Sequence, residues 1–129
     1  MIYAGLSKSD PRVKAAWDWI RKNWNIDNNP GMELSDPKNP QSAESGRFYY
    51  YHTLARSLRA YGEPVLTDSK GNKHDWRVEL ITKLAADQKP DGTWIGTQRF
   101  MENKPVLSSA YAVLALQEAV MDLKDHPAK

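Results

Sequence analysis

The segment QKPDGTW at residues 88–94 constrains this chain most, because it has to end one helix and turn the chain back toward another. Pro90 cannot continue a helix, and the following Asp-Gly pair favours a turn in which Gly92 takes a positive φ angle. Trp94 comes next, and a buried indole needs an acceptor for its N–H group. Gln88 offers a side-chain amide beside the unpaired carbonyls of the helix end. The segment therefore predicts a fixed corner between two helices.

Hydrophobic periodicity predicts an all-α fold with four main helices and one optional hairpin. Ser9-Asp10-Pro11 supplies a cap and a first-turn proline for the first helix. Apolar stripes at helical spacing predict helices at about residues 11–26, 46–61, 75–88 and 105–123. The β-prone run Val65-Leu66-Thr67 and the turn residues after it predict a short β-hairpin at residues 63–74.

The third and fourth predicted helices differ in how much of their surface is apolar. The third has one apolar stripe, with charged residues expected mostly outside it at Arg77, Glu79, Lys83 and Asp87. The fourth carries no charge from Pro105 through Gln117 and is apolar nearly all round. We therefore expect the fourth helix to be buried on several sides.

Composition excludes several classes of function. The 129 residues suit a single domain with a real core. With 18 basic and 16 acidic residues, the formal charge of +2 gives no electrostatic basis for binding nucleic acid. Cysteine is absent, which excludes disulfides, thiolate zinc sites and a cysteine nucleophile. We expect neither a metal nor a cofactor.

We recognise no targeting signal in the sequence. The start lacks the basic and apolar regions of a signal peptide, and no apolar run approaches the ~20 residues of a membrane span. A cytoplasmic location is the default expectation. Ile2, Tyr3 and Leu6 around Gly5 are typical of the last turn of a preceding helix, so we interpret the chain as one domain of a longer protein.

The four helices alternate in character, which indicates an internal repeat. Placing Tyr51 on Tyr111 also aligns a leucine and an alanine further along, at an offset of 111 − 51 = 60 residues. The alignment predicts two α-hairpin repeats, at about residues 10–62 and 75–123. Such arrays usually need about three or more repeats to bury a continuous core. We therefore expect this array to be incomplete and to self-associate through its exposed repeat faces.

The spacing Gln88-x-x-x-Gly92-x-Trp94 after an amphipathic helix, followed by SSAYAVLALQEA, resembles the QW motif of prenyltransferase/squalene oxidase repeat proteins. This superfamily includes terpenoid cyclases such as squalene–hopene cyclase and the β subunits of protein prenyltransferases. The resemblance covers about residues 10–121 and is strongest to bacterial members. It implies an α/α toroid in which outer and inner helices alternate, with the second and fourth helices inside. The first copy departs from the motif, since Asp27, Gly31 and Glu33 occupy its positions.

The catalytic motifs of that superfamily have no counterpart here. Triterpene cyclases use a D-x-D-D acid, and diphosphate-ionising synthases use an aspartate-rich motif, whereas the aspartates of this chain are scattered. The zinc site of protein prenyltransferases needs a cysteine that this chain lacks. The resemblance therefore assigns no catalytic residue, and whether the protein is an enzyme stays open.

Side chains on the two predicted inner helices are the candidates for lining a cavity. They are Tyr49, Tyr50, His52, Arg56 and Tyr111. Aromatic linings suit isoprenoid chains, and the cations could meet an anionic head group. Alternatively the tyrosines pack as core or between layers, and the arginine belongs to a solvated or ion-paired face.

These observations predict a repeat fragment that is not catalytic alone and whose inner helices line a hydrophobic cavity for an isoprenoid or lipid. The alternative is a non-enzymatic helical scaffold that binds a protein or a polysaccharide.

Overall fold

The computed structural model of the chain describes residues 5–127. Its helices are α1 (Pro11–Lys22), α2 (Arg47–Tyr61), α3 (Trp76–Asp87) and α4 (Pro105–Asp125), and its strands are β1 (Val65–Thr67) and β2 (Lys73–Asp75). Three short 3₁₀ turns lie at Met32–Leu34, Ser42–Glu44 and Arg99–Met101. The prediction of a helical last turn involves Ile2 and Tyr3, which lie outside the described residues.

The predicted helical class and the hairpin are confirmed. Strands β1 and β2 pair antiparallel, with Leu66 opposite His74. Helix α1 ends earlier than predicted, at Lys22. Asn23 ends it because its backbone and side-chain amides both donate to the Trp19 carbonyl, at 3.0 and 2.9 Å. A polar side chain that takes a last-turn carbonyl competes with the next helical hydrogen bond.

Helices α2 and α4 lie side by side and run in the same direction. Near their starts, the rings of Tyr49 and Tyr111 are 5.6 Å apart. Further along both helices, Arg59 forms an ion pair with Glu118 at 3.1 Å. The small buried residues of α4 that allow this close approach are Ala112, Ala115 and Ala119.

Helix α3 runs antiparallel to α4 and is fixed to it at both ends. At one end, Arg77 near the start of α3 forms an ion pair with Asp122 near the end of α4, at 3.1 Å. At the other, the Trp94 backbone N–H donates to the Ser109 hydroxyl at 3.0 Å. The apolar core lies among α2, α3, α4 and β1. It consists of Phe48, Tyr51, Leu54, Ala55, Leu58, Leu66, Trp76, Leu80, Leu84, Trp94, Ala112, Ala115 and Ala119.

The corner at residues 88–94 folds as a turn, and the Trp94 indole finds an acceptor as predicted, whereas the Gln88 amide does not bind a helix carbonyl. Gly92 has a φ of 85°. The Gln88 amide donates to the Gly92 carbonyl at 3.0 Å, so it closes the turn itself. The Trp94 indole N–H donates to the Leu84 carbonyl at 2.8 Å and satisfies the helix end. The tryptophan therefore staples the corner to α3.

The expectation that α4 is buried on several sides is wrong. Helices α2 and α3 cover it on two sides, and a third face is open to solvent. The exposed apolar side chains of α4 are Val106, Val113, Leu114, Val120 and Met121. By length and composition alone, α4 is also long and apolar enough to cross a membrane, with a mean hydropathy of 1.3 over its most apolar window. The core helix of a globular fold meets the same two criteria.

The expectation that Arg77 faces outward is also wrong, because its side chain is 2% exposed. Asp75, which caps α3, accepts from the Arg77 Nε and Nη2 atoms at 2.9 and 2.7 Å. Asp122 is equally buried and takes the remaining nitrogen. The hydrogen bonds with Asp75 raise the pKa of Arg77, and the same bonds lower the pKa of Asp75. This buried network locks the start of α3 to the end of α4.

Candidate functional site

Three of the five predicted cavity residues come together on the seam between α2 and α4. The His52 ring stacks on the Tyr111 ring, with centroids 5.9 Å apart and planes at 18°. Tyr49 meets the same Tyr111 ring edge-on at 5.6 Å. We call Tyr49, His52 and Tyr111 the aromatic patch. Tyr49 is exposed, so the patch presents a ring surface to solvent.

Tyr50, a fourth predicted residue, lies outside this cluster. It points toward the loop after α1, where its hydroxyl donates to the Asn25 carbonyl at 2.9 Å. Burial raises the pKa of Tyr50, and it serves there as a packing residue. Helical geometry separates Tyr50 from Tyr49, since successive residues of a helix point about 100° apart. Arg56 follows His52 by one turn of α2, on the same face of the helix, and is exposed.

Apolar side chains of α4 extend the aromatic patch along the seam. Leu114 lies one turn after Tyr111 and is 41% exposed. Met121 follows two turns later, where the Arg59 guanidinium reaches its sulfur at 3.7 Å. Arg59 at this end of the surface forms ion pairs with Glu118 at 3.1 Å and with Asp125 at 3.3 Å. The seam is therefore an aromatic and aliphatic surface with an ion-paired end.

The chemistry of the patch favours binding over catalysis. The Nδ1 atom of His52 is buried and has no hydrogen-bond partner among the described residues. Its ring stacks on a tyrosine, and no hydrogen bond within residues 5–127 joins it to an acid. A general base needs a hydrogen-bonded path to the proton it takes, and usually a group that orients it. The patch supplies ring surface and one imidazole, which suits an apolar ligand.

The sequence analysis did not predict that side chains cluster around His74, because their spacing in the sequence follows no known motif. His74 Nδ1 lies 2.7 Å from Glu79 Oε1, and His74 Nε2 lies 3.3 Å from Asp68 Oδ2. Trp24 donates its indole N–H to the other Glu79 oxygen at 3.1 Å. Desolvation opposes ionisation of the ring, but the bonds to Glu79 and Asp68 prevail and raise the pKa of His74.

This cluster has a structural role and does not form a metal site. The two carboxylates approach opposite nitrogens of one ring, so their oxygens do not converge on a shared point. Within residues 5–127, no group of three or more His, Cys, Asp or Glu side chains is arranged to hold a metal ion. The cluster joins the hairpin and α3 to the chain after α1.

Glu102 was also missed, and it forms the cap of α2. Its side chain is 1% exposed, and its Oε1 atom accepts the Tyr49 backbone N–H at 2.9 Å. Gly46, the residue before α2, makes no side-chain cap. A carboxylate at this position satisfies an orphan donor and complements the helix dipole. Desolvation nevertheless raises the pKa of Glu102. The cap comes from a distant loop, so local sequence carries no signal for it.

The long loop between α1 and α2 borders two polar cavities. The larger has a volume of about 280 Å³ and is lined by Asn23, Trp24, Asn25, Asn28, Pro30, Gly31, Glu33 and Ala43. Asn25 accepts from the backbone N–H groups of Asp27 and Asn28, and Glu33 accepts from that of Gly31. Two of its polar side chains therefore serve the loop's own framework.

Comparison of this chain with protein-family models, with curated proteins and with solved structures finds no match.

Proposed function

We propose that this chain is a non-catalytic helical repeat module of the prenyltransferase/squalene oxidase type, whose α2–α4 seam lines a hydrophobic cavity for an isoprenoid or lipid. The observation that carries the proposal is the solvent-facing ring surface of Tyr49, His52 and Tyr111, continued by Leu114. Soluble proteins leave such contiguous apolar surface open mainly where something binds.

The arrangement of the helices supports the repeat interpretation. Contacts between α2 and α4 join residues of similar separation, for example Arg59 with Glu118, which are 59 residues apart. The sequence repeat predicts 60. Parallel neighbours at a constant offset are what stacked hairpin repeats produce. In an α/α toroid, two such neighbours would be successive inner helices.

A titration with farnesol, an uncharged isoprenoid alcohol, tests the ligand class. We expect backbone amide shifts in a ¹⁵N NMR spectrum to saturate and to cluster at Tyr49, Tyr111 and Leu114. Leu114→Ser should weaken binding about fivefold or more, because the exposed leucine contributes about 1 kcal/mol of apolar contact. The matched control is Val78→Ser, on α3, where the valine is 46% exposed. Shifts that never saturate, or equal weakening by the control, would contradict the proposal.

We also propose that the open face of α4 pairs with a second copy of this chain. Val106, Val113 and Val120 form a ridge on α4 at helical spacing, directed away from α2. In an antiparallel pair, Lys104 at the start of one α4 would lie near Asp125 at the end of the other, and the two helix dipoles would oppose. Sedimentation at high micromolar concentration should give a dimer that Val113→Lys dissociates. A monomer there would overturn this pairing and leave the ligand proposal standing.

A further inference from the structure

A second polar cavity lies between the α1–α2 loop and the loop that precedes α4. Its volume is about 190 Å³, enough for about six waters at ~30 Å³ each. Every lining residue has a polar side chain: Asp36, Asn39, Gln41, Ser42, Ser45, Thr97, Gln98 and Arg99. The cavity lies on loops that form no part of the α2–α4 seam, so it is a candidate for a separate site.

One hydroxyl group in this cavity lacks a protein partner. Ser42 and Ser45 are 4% and 3% exposed, and both residues line the cavity. The Thr97 hydroxyl is buried and has no hydrogen-bond partner within residues 5–127. A buried polar group left unpaired costs about 1–3 kcal/mol. Such groups persist in native proteins where a water or a ligand completes their hydrogen bonds.

The charged and amide side chains that line the cavity indicate which chemical groups a ligand would need. Asp36 and Arg99 contribute one charge of each sign, and Arg99 donates to the Ser35 hydroxyl at 2.7 Å. Neither an anion nor a cation is therefore favoured overall. The amides of Gln41 and Gln98 supply donors and acceptors together. This mixture suits a neutral ligand with several hydroxyl groups.

An aromatic ring lies beside the cavity. Phe100 follows the lining residue Arg99, is 56% exposed and has a φ of 59°. Its ring lies 3.2 Å from the point that a Cβ atom on Gly46 would occupy, next to the lining residue Ser45. Met101 also has a positive φ, of 63°. Two such residues cost about 1–3 kcal/mol each, and this backbone holds the exposed Phe100 ring close to Gly46.

We propose that this cavity binds one pyranose unit of a saccharide. A pyranose presents hydroxyl groups at its edge, which would meet Ser42, Ser45 and Thr97, and an apolar C–H face, which would meet the Phe100 ring. The inference goes beyond the hydrophobic cavity proposed above and does not depend on it.

The test is a ¹⁵N NMR titration of the whole chain with D-glucose, D-galactose and N-acetyl-D-glucosamine, with glycerol as a control. We expect at least one sugar to shift the amides of Ser42, Ser45 and Thr97 in a saturable way, while glycerol does not. If no sugar shifts them at high millimolar concentration, the cavity holds only water and the proposal is wrong. Equal shifts with glycerol mean an adventitious polyol only, which also overturns it.

Variants separate ligand binding from structure. Ser45→Ala should weaken sugar binding about fivefold or more, the value of about one hydrogen bond. It should leave the melting temperature nearly unchanged, because Ser45 lines a polar cavity and is not part of the apolar core. Ser57→Ala, at an exposed position on α2, should change neither quantity. Phe100→Ser should also weaken binding. If Ser45→Ala lowers the melting temperature and leaves binding intact, the serine is structural and the assignment fails.

Discussion

The chain before α2 and the chain from α2 onward differ in how fully their apolar side chains are buried. Among the residues that the structure describes, the only fully buried apolar residue before α2 is Val13, and the others lie between residues 48 and 119. The first region packs partly buried side chains against the core and makes specific contacts: Trp17 stacks on Tyr61 at 4.1 Å, and the Ile26 carbonyl accepts the Tyr51 hydroxyl at 2.6 Å. The comparison teaches that full burial stabilises one region, while partial burial, ring contacts and hydrogen bonds attach the other.

This difference explains where the polar cavities lie. Both are bordered by the loop between α1 and α2, where few apolar side chains compete for the interior. A region with few fully buried apolar side chains opens locally at a lower free energy than the core does. We therefore expect amide hydrogens of residues 11–45 to exchange faster than those of α3 and α4.

The largest expected effect comes from the buried ion network of the second region. Arg77→Leu leaves Asp122 buried without its partner, which typically costs about 3–5 kcal/mol of unfolding free energy. Arg12→Leu breaks an exposed pair with Asp10 near the start of α1 and should change stability much less, because solvent screens this pair. Urea denaturation measures both. Similar losses from the two variants would break the comparison.

The next effect concerns the close packing around the Glu102 cap. A Cβ atom on Gly96 would lie 2.8 Å from both the Cβ and Oε2 atoms of Glu102. Gly96→Ala should therefore cost about 1–3 kcal/mol through overpacking, and it should shift the Tyr49 amide resonance by displacing its acceptor. Loss of stability with an unchanged Tyr49 resonance would argue against the cap as the cause.

A smaller effect is expected from the ring contact that attaches α1. Trp17→Leu removes the stack on Tyr61 and should cost about 0.5–1.5 kcal/mol beyond the change in buried area. Hydrogen exchange should accelerate in residues 11–45 and stay unchanged in α4. Trp19→Leu, at an exposed position of the same helix, is the control and should have little effect. If α4 also exchanges faster, the two regions unfold as one unit.

The smallest effect is a pH dependence at the boundary of the two regions. The folded pKa of His74 lies above its unfolded value of about 6.5, so this histidine stabilises the fold fully below that pH. Its contribution is lost as the pH rises through the folded pKa. Denaturation curves of the wild type and His74→Gln should therefore converge with rising pH. A stability difference that grows with pH would reverse the assigned sign.

Hydrophobic periodicity predicted the helices, and β-prone and turn residues predicted the hairpin. Neither pattern shows which element each face of a helix packs against. Arg77 was expected outside because it is charged and was not part of the apolar stripe of α3, and its partner Asp122 lies 45 residues away. The apolar faces of α4 were all assigned to the interior, since a sequence does not reveal how many helices surround a given one. Tyr49 and Tyr50 are adjacent in sequence but face different neighbours.

The candidate sites were predictable to the extent that they lie on helices. Tyr49, His52 and Tyr111 were chosen from predicted inner helices, and they meet in the structure. The polar cavity was not predictable, because its two loops lack periodicity and lie more than fifty residues apart in the chain. The left-handed φ of Phe100 has no signal in the residue types around it.

The cap of α2 has a consequence for the order of events during protein synthesis. The acceptor of the Tyr49 backbone N–H lies 53 residues further along the chain and is therefore synthesised later. While the ribosome is still making α3, α2 has already been synthesised, and its first turn has no carboxylate to hold it. That turn becomes fixed only when the loop before α4 has been translated. The first turn of α2 is therefore capped only after part of the second helix pair has been synthesised.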